Sequence, residues 1–431
     1  DASWDARMVR DDSEYEDYVP TYGTPVSDHW YGVMGNEETI SDLAIGRIPL
    51  KSEQEGFDYL EKLREYESVK NNPWMKNFFY MSGGYDEYQR TQFATDMRKN
   101  AEIIKNSTIC ADTFLLKKRN FDAVAEIEAQ EIIQRINSGM MLSSYLGHGS
   151  ATLLEIEGWH VERLNNKGKY GFMSFMSCNT GAFAEPNLVA RNEDYLLYPK
   201  KGFVGVGGGT TTGFAGSIVS LYDDFMETLV DPELEFTSYA EIMNHAKSLQ
   251  YGTYYNTVVS NTFSFLGDPL AEIRIEKKPD LYALQDELRQ EISENVIFDT
   301  DSTVILGGNI YNMGTRVEKD VEVLLIRENE LYPVDSLWLT LNGICIKDYI
   351  EFEIDVFEKP GRHRLTLIID PNEKINDVKR GNNKISFSFD VFSQGLLPLE
   401  PLAYWDMPLN DPVFRFINPS EEKEKARYEF R

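Results

Sequence analysis

Cysteine occurs three times in this chain and histidine five times, among 431 residues. Cys110, Cys178 and Cys345 lie far apart, which excludes a dense disulfide framework and a CxxC metal knuckle. An odd count also leaves at least one thiol without an intramolecular partner. Basic residues are short too: 43 Lys and Arg stand against 71 Asp and Glu, a net charge of −28. Such a surface repels phosphate backbones, so no nucleic acid is expected as a partner, and the acidity serves solubility. No uninterrupted apolar run reaches bilayer length, so no transmembrane segment is expected. The opening DASWDARMVRDD has neither an initiator Met nor a signal-peptide pattern, and reads as cut from a longer chain. No Gly-Lys-Ser/Thr follows the glycine triplet at 207–209, which excludes a phosphate-binding loop there.

What remains is globular: 42% hydrophobic and 13% aromatic residues, enough to bury two or three cores. From 41 to about 275, strand-like apolar runs alternate with amphipathic helices. DLAIGRIPL (42–50) reads as a strand. The segment 52–70 reads as a helix with Ser52 and Glu55 as a capping box and Phe57, Leu60, Leu63 and Tyr66 on its apolar face. WMKNFFYMSGG gives a strand, and 121–139 a helix that stops at Gly139. The alternation predicts α/β architecture with a mostly parallel sheet covered on both faces. Beyond 278 the helical period disappears. Six or seven short strands over about 100 residues predict an immunoglobulin-like sandwich across 278–393. The segment 394–431 reads as a linker and the start of a further domain.

The chemistry-bearing stretch is MMLSSYLGHGS followed by YGFMSFMSCNTG. His148 and Cys178 stand at the ends of two apolar runs, 30 residues apart, in what reads as one βαβ unit with LEIEGWHVERLNN as its crossover. Ligands of open α/β sheets bind outside the carboxyl ends of the strands, so both side chains are expected to face one crevice. A cysteine nucleophile needs a base and a proton donor, and an imidazole supplies both near neutral pH. Glycines 147 and 149 leave the backbone open, and N–H groups of these loops suit an oxyanion. A packed cysteine and a structural histidine are the plainer alternative on spacing alone.

YLGHGS with FMSFMSCNTGAF resembles the His-Gly and Cys blocks of the gingipain family of cysteine peptidases, which have a caspase-like fold. VPTYGTPVSDHWYG, DLAIGRIPLKSEQE, GFVGVGGGTTTGF and FSFLGDPL are similar to further blocks of that family and of the gingipain-related sortases of type IX secretion. The resemblance spans residues 1 to about 276, gives a peptidase domain over 1–277, and implies that an N-terminal portion is missing. It makes Cys178 the nucleophile and His148 the acid/base, with the N–H groups of Gly149 and Cys178 as oxyanion hole. The family's His-orienting acid would follow FFYMSGG; Asp86 or Glu87 substitutes for it, or the site is a dyad. The acid that reads a basic P1 side chain would fall near Arg90 to Gln92, where none stands, so Arg or Lys specificity does not transfer. Glu155, Glu157 and Trp159, with Gly208, Gly209 and Thr210, are pocket candidates, while Asp28 and Arg47 are expected to support loops.

No cofactor is required for this chemistry. The resemblance suggests a structural calcium, for which no EF-hand spacing is present and no ligand is assigned. PGRHRLTLIIDPNEKINDVKRGNNKISF resembles the CARDB-type adhesion modules. Together these imply a secreted or bacterial cell-surface cysteine endopeptidase acting on peptide or protein substrates. The alternatives are a sortase-like transpeptidase working with the type IX secretion machinery, or an inactive surface scaffold.

Overall fold

This computed structural model describes residues 19, 21, 23, 25–35, 40–69, 72–119, 126–185, 188–288, 296–393, 397–400 and 415–417. The chain divides into two compact units, Asp1–Lys277 and Lys278–Arg431.

The first unit is built on six strands: β1 (Asn77–Ser82), β2 (Asp112–Lys117), β3 (Leu142–Leu146), β4 (Phe172–Met176), β5 (Gly205–Gly209) and β6 (Phe263–Gly267). Their order is β2-β1-β3-β4-β5-β6. The first five run parallel, and β6 pairs antiparallel with β5. Every residue of β3, β4 and β6 is buried, as expected of strands covered on both faces. Among the described residues, seven helices flank the strands: α1 (Glu53–Ser68), α2 (Glu87–Asn106), α3 (Glu126–Ser138), α4 (Arg191–Leu197), α5 (Ala215–Val230), α6 (Tyr239–Leu249) and α7 (Tyr254–Thr262). From β1 the chain steps to β2 on one side and then to β3 on the other. The carboxyl ends of β1 and β3 therefore bound a topological switch point, where open α/β sheets form their crevice.

Three expectations for this unit need correction. Residues 42–50 form no ladder; Arg47 alone bridges to Leu266, and its guanidinium is clamped bidentately by Asp28 at 2.5 and 2.7 Å. The packed face of α1 is Tyr59, Lys62, Leu63 and Tyr66, whereas Phe57 and Leu60 are exposed. The Tyr59 hydroxyl donates to Val204 O and the Lys62 amine to Leu196 O, so their polar ends are satisfied inside. The β3-to-β4 connection carries no α-helix, only one short 3-10 turn at Val161–Arg163. The expected start of the helix at 121 lies outside the described residues.

Among the described residues of the second unit, two larger sheets form a sandwich. One has the order β11 (Asp335–Leu341), β10 (Val321–Glu328), β13 (Gly361–Ile369), β14 (Lys384–Phe392), β8 (Ile297–Phe298). The other is β12 (Lys347–Asp355), β9 (Thr303–Asn312), β7 (Leu281–Ala283). Burial alternates along β10 and β12, and one core joins Leu306 and Ile350 of one sheet with Val323 and Leu367 of the other. This is the period-two signature of a sandwich. Beyond it, Leu397–Glu400 and Arg415–Ile417 pair as an antiparallel ladder. The rest of the proposed linker lies outside the described residues.

Candidate active site

β3 and β4 are paired in parallel register with Leu146 opposite Met176. His148 and Cys178 each lie two residues beyond that pair, so the register brings them to the same level at the carboxyl ends of adjacent strands, which run about 4.8 Å apart. Both side chains are partly exposed. The two loops are also locked together. A Cβ on Gly149 would lie 2.4 Å from Ser177 Oγ, so only glycine permits this approach.

Glu155 organises the His148 loop. Its Oε2 accepts from Gly84 N at 2.7 Å and from His148 N at 3.0 Å, tying the end of β1 to the end of β3. Cβ atoms on Gly83 or Gly147 would lie 2.2 and 2.9 Å from that oxygen, which explains the small residues on either side. The Tyr145 hydroxyl donates to His148 O at 3.0 Å and accepts from Glu155 N at 3.2 Å. Burial, and then the Glu155 charge, push this phenol well above its ordinary range, so it stays a donor. The imidazole stacks on Tyr85, with centroids 4.1 Å apart and planes inclined by 11°. Its Nε2 lies 3.2 Å from Gln89 Oε1.

Cys178 is a free thiol. Gly213 N donates to its sulfur at 3.4 Å. Asn179 turns the chain with φ of 57°, a left-handed conformation that Asn tolerates better than most residues. Asn179 N and Gly181 N then donate to Thr211 O and Gly209 O, pinning this loop to the end of β5. Among the described residues, neither the N–H of Gly149 nor that of Cys178 has an intramolecular acceptor.

The other sequence candidates fall elsewhere. Asp86 caps α2 by accepting from Gln89 N at 2.8 Å. Glu87 is exposed and engages Arg90 and Lys117, which hold its carboxyl down to about 2, Arg90 foremost. Neither carboxylate meets the His148 ring; the group that does is Gln89, which sequence reasoning missed. The pattern Asp86-x-x-Gln89 after a strand marks a helix start in the sequence, but nothing local signals the contact with the imidazole.

Trp159 is a core residue, not a pocket wall: it is 2% exposed and its indole donates to Ile156 O. Glu157 accepts from Leu154 N. Gly208 is buried against Thr180 and Asn192, and the Thr210 hydroxyl donates to Val26 O. Of the triplet and its neighbour only Gly209 is partly exposed. No group of three or more His, Cys, Asp or Glu among the described residues is placed to hold a metal ion.

The sequence pattern of peptidase family C25 matches residues 1–274. The chain belongs to peptidase family C25. Its fold is similar to that of the Arg-specific cysteine proteinase gingipain R, at 16% identity and a TM-score of 0.52, over 87% of this chain and 81% of that one. The complex of Porphyromonas gingivalis RgpB pro- and mature domains matches at 15% identity and a TM-score of 0.51, over 87% and 83%. No curated protein matches. Likeness at this identity speaks for the fold. Membership of C25 makes the chain a cysteine peptidase, and the immunoglobulin-like character of the second unit is read from its own strand pairing.

Proposed function

We propose that this C25 peptidase cleaves peptide bonds through a thioester on Cys178, with His148 as acid and base. The Cys178 thiol gives its proton to His148 as the sulfur attacks the scissile carbonyl carbon, and the carbonyl oxygen takes the charge of the tetrahedral intermediate. The N–H groups of Gly149 and Cys178 donate to that oxygen. Collapse expels the amine, which leaves with a proton from His148. Water then gives a proton to His148 and adds to the thioester, and His148 passes that proton to the departing sulfur, releasing the acid and the thiol. Protein or peptide substrates outside the cell or on its surface fit the gingipain-like fold.

The observation that carries this reading is the pair of unacceptored N–H groups at Gly149 and Cys178, on two interlocked loops beside a free thiol. Backbone donors in such tightly bonded loops ordinarily find acceptors. Leaving two open at the thiol supports a site built for an incoming oxygen. The test is cleavage of a mixed peptide library by the wild type and by Cys178→Ala, with and without an added amine. Cuts that vanish in the variant support the assignment, and amine-capped products would move it to transpeptidation. Equal cutting by both proteins would overturn it.

A further inference from the structure

We infer that Gln89 is the positioning residue of His148, and that a neutral amide here does what a carboxylate does elsewhere. The inference rests on the peptidase reading of His148 and Cys178. Its ground is the hydrogen-bond geometry around one oxygen. Gln89 is the third residue of α2, and Asp86 caps that helix at Gln89 N. Its side chain folds back, and Oε1 accepts from Tyr85 N at 3.0 Å. A backbone N–H is always a donor, so the amide face turned toward Tyr85 must be the oxygen. The same oxygen lies 3.2 Å from His148 Nε2. An amide oxygen only accepts, so Nε2 carries the proton. That leaves Nδ1 as the nitrogen that takes and gives protons in the reaction.

The ring is held on a second side as well. Tyr85, one residue before the cap, stacks on the imidazole, and Phe93 on the next turn of α2 lies 6.1 Å away. A shifted capping box thus doubles as the orienting device: the first turn of α2 fixes the plane of the imidazole through Tyr85 and its tautomer through Gln89. This explains how the site works with Asp86 and Glu87 committed to other partners. Gln89 makes no hydrogen bond to the Cys178 sulfur, whose partner is Gly213, so its effect passes through His148.

The experiment uses the full chain labelled with ¹⁵N-histidine, the His148 resonances being assigned by loss in His148→Asn. Wild type, Gln89→Glu and Gln89→Met are compared for the ¹⁵N shifts of the neutral ring and for peptide kcat and KM. The wild type and Gln89→Glu should show the Nε2–H tautomer alone, since both present an acceptor. Gln89→Met should show a tautomer mixture and lose kcat by up to about a hundredfold with KM little changed. Recovery of kcat by Gln89→Glu excludes a merely structural role. If Gln89→Met does not fold, the wild-type and Gln89→Glu spectra still decide. An Nδ1–H ring in the wild type, or a Gln89→Met protein with unchanged tautomer and kcat, overturns the inference. Absence of peptidase activity in the wild type would strike the catalytic reading alone, because the tautomer is read without substrate.

Discussion

The carboxylates in the loops that end the strands of the α/β unit and in those that close the sandwich are used in different ways. In the sandwich, Asp370, Asp377 and Asp280 are buried, and both oxygens of each are partnered. Asp370 accepts from Lys374 N, Ile375 N and Arg380; Asp377 from Lys379 N, Leu281 N and Asn383; Asp280 from Asn382 and Lys379. In the α/β unit, Glu155 accepts twice through Oε2 while its buried Oε1 has no partner. Ser177 Oγ is likewise buried without one, and the N–H groups of Gly149 and Cys178 have no acceptor. Unmet hydrogen bonds are costly, on the order of 1–3 kcal/mol each when buried. The sandwich spends its carboxylates on turn geometry, whereas the α/β unit leaves capacity open beside the thiol.

The strongest way to sharpen this contrast is Cys178→Ala. Peptide cleavage should fall by on the order of 10⁴-fold or more, with the thermal midpoint essentially unmoved. A large drop in the midpoint would make the cysteine a packing residue instead. Gly149→Ala comes next. Its Cβ would strike Ser177 Oγ at 2.4 Å and displace the N–H, costing roughly 10²- to 10³-fold in kcat. Adding Ser177→Ala removes the struck atom, so the double variant should recover part of the loss; no recovery would break the proposed interlock.

On the sandwich side, Asp370→Ala removes the acceptor of two N–H groups and of Arg380 from a residue 3% exposed with φ of 50°. Urea unfolding of the second unit should show a loss of about 3 kcal/mol, with cleavage kinetics unchanged. Lost cleavage at full stability would erase the division between the two kinds of loop.

The smallest effect concerns Lys62. Burial pulls its amine from 10.5 to about 7, against the charge of Asp58, while backbone carbonyls accept from it. The folded value lies below the unfolded one, so the unfolded chain binds more protons between about pH 7 and pH 10.5. The stability contribution of Lys62 therefore rises with pH through that window and is smallest below it. Relative to Lys62→Met, the wild type should gain about 1 kcal/mol between pH 7 and pH 8 by urea unfolding. A constant difference would show that the amine stays charged inside.

How much of this was legible can be traced residue by residue. The alternation of apolar runs with amphipathic segments announced the parallel sheet, because strands buried on both faces must be apolar throughout. Strict alternation announced the sandwich for the complementary reason, one face in and one out. His148 and Cys178 were visible because each ends an apolar run and is flanked by small residues. Gln89 was not, since its role depends on a contact across 59 positions and its residue type signals only a helix start. Trp159 was misplaced because an aromatic after a catalytic loop reads the same in sequence whether it lines a pocket or fills a core. On α1, Lys62 hid the true packed face: a hydropathy pattern counts lysine as surface, and only the carbonyls of Leu196 and Phe203 make its burial tolerable.

The sequence by itself determined the two architectures and singled out the pair of residues proposed to bear the chemistry, because periodicity and strand-end position are local properties. Tertiary structure alone decided which groups serve that pair. Register set His148 level with Cys178, the glycines admitted Glu155 and Ser177 between loops, and one turn of α2 turned an amide toward the imidazole. Those outcomes depend on distances between segments far apart in the chain, and no local pattern records them.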